Sequence, residues 1–192
     1  MQIEILTIGN EILSGRTLDT NFAYLARALE AANVRVGWHT TVGDTNAVIG
    51  AAVRAAIDRA DAVVMTGGLG PTPDDLTRKA VSTVLGRPLR LDEGVVATIR
   101  ERAKRAGRRL PPSIETQALI PFGAQVWANR LGTAPGLLLL WLARPLYGGS
   151  LAAVIIAGLA GGAICLAGSL LAAVRPAELR RLHKLLPGAR RA

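Results

Sequence analysis

A glycine-rich turn after a short apolar run is the part of this sequence with the clearest potential for chemistry. The run Ala62–Met65 leads into Thr66–Pro71, where Gly67, Gly68 and Gly70 permit positive φ angles and a close approach of the backbone to a ligand. Amides exposed at a turn from a strand to a helix form a concave anion site that suits phosphate. The sequence therefore predicts a phosphate-binding loop with these three glycines as binding residues.

Two carboxylates, Asp74 and Asp75, follow this loop and would repel a phosphate unless a cation lay between them. Mg²⁺ prefers oxygen ligands and is commonly held by one or two carboxylates together with phosphate oxygens. We therefore expect Mg²⁺, or another divalent cation, with Asp74 and Asp75 as ligands. The alternative interpretation is that both acids stabilise the N-terminus of the next helix through its dipole.

Two further acids follow predicted strands: Glu11 comes after Ile3–Ile8, and Asp44 comes after Val34–Val42. The carboxyl ends of parallel strands lie at one edge of a sheet, where ligands bind in open α/β folds. We therefore expect the loops that carry Glu11, Asp44 and the glycines to face one crevice. The simpler interpretations are a solvated loop charge for Glu11 and a helix cap for Asp44.

Apolar periodicity predicts alternating strands and helices through residue 106. The predicted strands are Ile3–Ile8, Val34–Val42 and Ala62–Met65; the helices are Asn21–Ala32, Asn46–Ala60, one that starts near Asp74 or Asp75, Glu93–Ala106, and a short one before Pro121. This alternation is typical of βαβ units and a mostly parallel sheet. His39 falls in the second strand without a neighbouring Ser or Cys nucleophile and is interpreted as structural.

The net charge of +9 does not describe the α/β part of the chain. Residues 1–136 hold sixteen Lys and Arg and thirteen Asp and Glu, a net of +3, whereas residues 137–192 carry +6. Three Trp, two Tyr and two Phe are few for a protein that stacks bases, so nucleic acid is not an expected partner. One Cys and two His exclude a disulfide framework and a His-clustered zinc site.

The glycine loop and five further motifs occur in the order found in a known family. They are GGLGPTPDDLT (67–77), preceded by IGNEILSG (8–15), DTN (19–21) and VGD (42–44), and followed by RLDE (90–93) and LGTAPG (131–136). On these motifs, residues 1 to about 138 resemble the MoaB/Mog-like N-terminal domain, of molybdopterin-binding fold, of the competence/damage-inducible protein A (CinA) family.

The resemblance implies a three-layer α/β/α domain with a mostly parallel sheet that forms homo-oligomers. From the residues and the resemblance together we predict phosphate or substrate binding by Gly67, Gly68, Gly70, Thr77, Gly132 and Thr133; catalysis by Asp75 and Asp44; and metal binding by Asp74, Asp75 and Glu11. The implied ligand is a nucleotide or a pterin phosphate.

The activity that the resemblance implies is metal-dependent cleavage of a nucleotide diphosphate of the ADP-ribose type. One alternative is binding or adenylylation of molybdopterin in molybdenum cofactor biosynthesis, and another is a truncated, non-catalytic domain. CinA proteins often carry a second domain with nicotinamide-nucleotide amidase activity. That domain is not recognisable in this sequence, so we do not expect amidase activity.

Residues 139–192 differ from this pattern. Pro145–Val174 contains 30 residues without a charge; as a helix it would be about 45 Å long, more than the roughly 30 Å of a bilayer core. We therefore predict an incomplete domain followed by an apolar transmembrane helix at about 146–174 and a basic tail. The protein is then expected to be cytoplasmic with a membrane tether.

A fusion, a truncation or a reading-frame artefact is the alternative origin of this C-terminal segment. The usual closing strand, loop and helix of the family are not recognisable after Gly136. A basic tail should also remain on the cytoplasmic side of a membrane, which would place a domain before a single span outside.

Overall fold

A six-stranded sheet forms the centre of the computed structural model, which describes residues 2–107, 109, 112–127, 129, 135–142 and 151–157. The strands are β1 (Gln2–Ile8), β2 (Arg35–Val42), β3 (Ala62–Thr66), β4 (Leu89–Leu91), β5 (Leu119–Pro121), β6 (Gln125–Trp127), β7 (Gly136–Leu142) and β8 (Leu151–Ala157). The large sheet has the order β2-β1-β3-β8-β7-β6, and β4 pairs with β5 in a separate antiparallel sheet.

Helices connect the strands much as the periodicity predicts. They are α1 (Asn10–Leu13), α2 (Thr20–Ala31), α3 (Asn46–Arg59), α4 (Thr77–Leu85) and α5 (Glu93–Arg105), with a 3₁₀ helix at Pro112–Ala118. The main difference is α4, which starts at Thr77 rather than near Asp74 or Asp75. Both acids therefore lie in the loop before the helix and not in its first turn.

Most of the sheet is parallel, as predicted. Strand β1 pairs in parallel with β2 and β3, and β3 pairs in parallel with β8, whereas β7 pairs antiparallel with both of its neighbours, β8 and β6. Thr7, near the end of β1, lies opposite Thr41 of β2 and Thr66 of β3. The loops that leave β1, β2 and β3 therefore start at the same edge of the sheet.

The two faces of the sheet are covered by different helices, which gives the predicted three layers. One face packs Ile3, Ile5 and Val64 against Leu25 and Leu29 of α2. The other packs its apolar residues against α3 and α4; this cluster includes Leu6, Ile8, Val63, Met65, Ile49, Val53 and Val81. Because the central strands are covered on both sides, both alternating sets of side chains are apolar.

Side-chain caps fix the starts of the longer helices. Asp19 caps α2 by accepting a hydrogen bond from the amide of Phe22 at 2.8 Å. Thr45, rather than Asp44, caps α3, which leaves Asp44 in the loop after β2. Each such cap contributes about 1 kcal/mol and sets where its loop ends.

A buried glutamate on β1 pairs with an arginine, away from the edge of the sheet where the three loops start. Glu4 accepts hydrogen bonds from Arg59 at 2.6 and 2.8 Å and from the hydroxyl of Thr40 at 2.7 Å. The hydrogen bond to Glu4 raises the pKa of Arg59. This pair joins the last turn of α3 to the sheet and belongs to the scaffold.

The predicted transmembrane helix is wrong. Leu151–Ala157 forms strand β8, which pairs in parallel with β3 and antiparallel with β7. In the part of the chain that the structure describes, no helix has both the length and the apolar character to cross a membrane. Residues 146–150 and 158–174 of the predicted span, and the basic tail after it, lie outside the described residues.

The reason for this difference is that an apolar run does not distinguish a buried strand from a buried helix. The sequence LAAVIIA of β8 has no charge and no alternation because the strand sits between two others near the middle of the sheet. Residues beyond 138 therefore supply a central strand of the domain.

Candidate functional site

The three loops predicted to converge do contact one another. The amide of Gly9 donates to the carbonyl oxygen of Val42 at 3.0 Å. The amide of Asn10 donates to Oδ2 of Asp44 at 3.1 Å. These two bonds tie the loop after β1 to the loop after β2, and they place Asp44 beside the start of α1.

The glycine loop crosses directly over the end of β1. Gly67 has a φ of 96°, and a Cβ at this position would collide with the carbonyl oxygen of Ile8. Gly68 has a φ of 62°, and a Cβ there would collide with the hydroxyl of Thr77. Both positions therefore require glycine, for the backbone angle and for the space.

The first two carbonyl groups of the loop point toward the start of α4. The hydroxyl of Thr77 donates to the carbonyl oxygen of Gly67 at 2.8 Å. The backbone amide of Thr77 donates to the carbonyl oxygen of Gly68 at 3.2 Å. The Thr77 side chain is fully buried. Its hydroxyl thus supports the loop, and its predicted role as a phosphate ligand stays a prediction.

The next two carbonyl groups point toward Arg78. Its Nη1 donates to the carbonyl oxygen of Leu69 at 2.6 Å, and its Nη2 donates to that of Gly70 at 3.1 Å. Arg78 is only 5% exposed. Its burial lowers the pKa of the guanidinium, and the nearby carboxylate of Asp75 opposes that shift.

The orientation of these carbonyl groups fixes the orientation of the amides. All described peptide bonds are trans, and the C=O and N–H of a trans peptide point in opposite directions. The N–H groups of Gly68 and Leu69 therefore point away from Thr77, and that of Gly70 points away from the guanidinium of Arg78. No acceptor for these three N–H groups is found among the described residues. The arrangement is an amide nest, which attracts anions.

Asp75 binds the C-terminal part of the loop. Its Oδ2 accepts hydrogen bonds from the amide of Thr72 at 2.8 Å and from the Thr72 hydroxyl at 2.5 Å. The same oxygen would lie 2.5 Å from a Cβ at Gly70, so the carboxylate packs against the glycine backbone. Oδ1 of Asp75 has no hydrogen-bond donor among the described residues and can contact a ligand. Asp74 is exposed on the same loop.

The acidic groups of the site lie on different loops. Asp44 binds the Asn10 amide through Oδ2, and its Oδ1 has no hydrogen-bond donor among the described residues, while Glu11 is exposed in α1. Within the described ranges, no three or more His, Cys, Asp or Glu side chains form a group that could hold a metal ion alone. Oδ1 of Asp44 and of Asp75 are nevertheless ligands of the type that Mg²⁺ takes from proteins when phosphates and waters complete its shell.

Several predicted ligand and metal roles stay predictions. Gly132 and Thr133 lie outside the described residues, so their predicted ligand contacts stay predictions. The metal roles of Asp74, Asp75 and Glu11 also stay predictions.

Two features of the site were not predicted from the sequence. Arg78 had no predicted role, and His39 was interpreted as structural without predicted partners. In the structure, Nε2 of His39 lies 3.2 Å from Oδ2 of Asp19 and 3.2 Å from the hydroxyl of Thr7, and its ring stacks on Phe22 at 3.7 Å. The DTN motif and the polar ends of β1 and β2 were the available signal for the histidine. These contacts connect α2 to the sheet, and the structural role of His39 stays an interpretation.

The fold and this loop define a class of protein: a three-layer α/β domain with an amide nest at the carboxyl edge of its parallel strands. The family model for a probable molybdopterin-binding domain matches residues 4–178. The chain belongs to this family and to its CinA-like branch. The match continues past residue 138, where the resemblance read from the motifs ended.

Similar proteins agree with this assignment. A CinA-like protein of Gemmatimonas aurantiaca is 49% identical over 143 residues, which are 74% of this chain and 33% of that protein. The chain thus spans about a third of the length of such curated relatives. The crystal structure of CinA from Thermoplasma acidophilum aligns with 96% of this chain and 94% of that one, with 34% identity and a TM-score of 0.69.

More distant structures share the fold. The tungsten cofactor synthesizing protein MoaB from Pyrococcus furiosus aligns with 96% of this chain and 95% of that one, with a TM-score of 0.57 and 14% identity. The predicted MoaB/Mog-like fold is therefore confirmed.

Proposed function

We propose that the protein is a metal-dependent hydrolase that cleaves the diphosphate of a nucleotide of the ADP-ribose type. The observation that carries the proposal is the amide nest of Gly68, Leu69 and Gly70 at the same edge of the sheet as two carboxylates, Asp44 and Asp75, each with one oxygen that binds no donor among the described residues. Uncharged amides donate hydrogen bonds to a phosphate, and the two carboxylates supply ligands for a cation and a group that accepts a proton.

The proposed reaction is hydrolysis of the bond between phosphorus and the bridging oxygen. A water oxygen attacks one phosphorus, the bridging bond breaks, and the leaving phosphate keeps the bridging oxygen, so that ADP-ribose gives AMP and ribose 5-phosphate. Mg²⁺, when bound, screens the phosphate charge and acidifies water. The amide nest orients the diphosphate, and the Asp75 carboxylate packs against Gly70 at the end of the nest. Oδ1 of Asp44 is the proposed acceptor of the proton that the water loses.

The decisive test compares the full chain with its Asp75→Asn variant in ADP-ribose turnover with Mg²⁺. Asparagine has the size of aspartate, and its carbonyl oxygen can still accept the hydrogen bonds of Thr72, but it removes the charge. We expect kcat/KM to fall on the order of 100-fold, because the lost charge removes about 2.7 kcal/mol of transition-state stabilisation. Asp58→Asn, at an exposed position of α3, is the matched control and should leave turnover unchanged.

A second candidate is the binding or adenylylation of molybdopterin. The match to a probable molybdopterin-binding domain favours it, and an amide nest binds the phosphate of a pterin as readily as that of a nucleotide. Pterin fluorescence that co-purifies with the protein, or transfer of AMP from MgATP to molybdopterin, would support this candidate. If the chain binds phosphate compounds but turns over neither substrate class, a non-catalytic binding domain is the remaining function.

A further inference from the structure

We propose that Arg78 is a positioning residue that aims the amide of Gly70 at the bound phosphate by holding the carbonyl oxygens of Leu69 and Gly70. The proposal rests on the anion site of the proposed function and extends it, because it assigns one of the three amide donors to a single side chain. It does not depend on which phosphate compound is the substrate.

The contacts divide the loop between two residues. Thr77 holds the carbonyl oxygens of Gly67 and Gly68, and so it orients the N–H groups of Gly68 and Leu69. Arg78 holds the carbonyl oxygen of Leu69 at 2.6 Å, and so it orients the N–H of Gly70. The N–H of Gly70 is the last in this row of amides, because the next residue, Pro71, has no N–H.

Two features explain why an arginine occupies this position. A planar guanidinium donates to two neighbouring acceptors with a fixed geometry, which a lysine ammonium does not reproduce. Nη2 also holds the carbonyl oxygen of Gly70 at 3.1 Å, so both peptides next to Gly70 are fixed by one group.

The burial of Arg78 is the second argument. A charged group pays a desolvation cost when it is buried, and that cost must be offset by hydrogen bonds and nearby charges. Arg78 is 5% exposed. Its guanidinium donates to two carbonyl oxygens of the loop, and the nearby Asp75 carboxylate acts to keep it charged. A buried cation behind the loop also favours an anion in front of it, since fields act over longer distances where water is excluded.

The test uses the full chain, inorganic pyrophosphate as the probe, and amide chemical shifts together with calorimetric affinity. In the wild type, pyrophosphate should shift the amide signals of Gly68, Leu69 and Gly70. In Arg78→Lys the charge stays but the two-pronged contact is lost. We expect the Kd for pyrophosphate to rise about ten-fold, as for the loss of one hydrogen bond to a charged group. The shift at Gly70 should shrink while that at Gly68 remains.

The matched control is Arg59→Lys, which alters an equally structural arginine that binds Glu4 away from the loop. It should change stability without changing the Kd. Arg78→Met, which has a similar length but no charge and no donor, should weaken binding at least as much as Arg78→Lys. If it binds no more weakly than wild type, the positioning role is wrong.

Three other results would overturn the proposal. The first is a Kd in Arg78→Lys equal to that of wild type. The second is an equal loss of shift at all three amides, which indicates a general loosening of the loop. The third is a wild-type Gly70 amide that does not respond to pyrophosphate, and it applies even if both variants fail to fold. If the wild type binds pyrophosphate in the expected way but does not hydrolyse ADP-ribose, the proposed function fails and the role of Arg78 stands.

Discussion

The hydroxyl of Thr77 donates to the carbonyl oxygen of Gly67 at 2.8 Å, across ten residues and from the first turn of α4. A fully buried threonine thus holds the point where the glycine loop leaves β3 and crosses over β1. The amide of Gly68 points away from Thr77 because this hydrogen bond holds the carbonyl group of the same peptide, that of Gly67. The first residue of the helix is therefore part of the architecture of the anion site.

Thr77→Val is expected to destabilise the protein by about 1–3 kcal/mol, because it leaves the partly buried carbonyl oxygen of Gly67 without its donor. Valine has nearly the same shape, so the loss reports the hydrogen bond rather than a cavity. Chemical denaturation of the full chain measures the change. Thr83→Val on the same helix is the control: Thr83 is exposed and donates to the carbonyl oxygen of Lys79 at 3.0 Å. A loss at Thr77 no larger than the loss at Thr83 would contradict the prediction.

Gly67→Ala is expected to be more damaging than the same change at another left-handed glycine. Gly86, at the C-terminal cap of α4, has a φ of 61° and open space around its α-carbon, so alanine there costs only the backbone strain of roughly 1–2 kcal/mol. Gly67 has the same kind of strain and also the clash with the carbonyl oxygen of Ile8. The two unfolding free energies, measured side by side, should differ by more than about 1 kcal/mol. Equal losses would mean that the loop can move away from β1.

The sequence allowed the strands, the long helices and the meeting of three loops to be predicted, because these follow from local periodicity and from the geometry of parallel sheets. The contacts of Thr77 and Arg78 could not be predicted in this way. They depend on a loop that doubles back onto its own helix, and nothing in the spacing of Gly67–Gly70 and Thr77 shows which way each carbonyl points. The prediction for residues 151–157 was wrong for another reason. A uniform apolar run has no periodicity that distinguishes a strand from a helix.

Val154→Pro tests whether residues 151–157 form a central strand of the sheet. The backbone of Val154 lies opposite Val63 of β3 and Leu139 of β7, so the strand has neighbours on both sides. Proline removes the N–H and does not fit inside a central strand. The variant should lose a large part of its free energy of unfolding, measured by thermal and chemical denaturation. Val154→Ala, which keeps the N–H, is the control. A proline variant as stable as the alanine variant would show that residues 151–157 do not belong to the sheet.

Asp44→Asn separates a catalytic role from a structural one. The amide oxygen of asparagine can still accept the hydrogen bond from the Asn10 amide, which is 3.1 Å long in the wild type, so the two loops should remain joined. The carboxylate that we propose as the proton acceptor is lost, and general-base catalysis typically contributes 10²–10⁴-fold. The kcat for ADP-ribose should therefore fall by roughly 100-fold or more, while the free energy of unfolding changes by less than about 1 kcal/mol. An unchanged kcat would exclude Asp44 as the proton acceptor and leave it the role of joining the two loops.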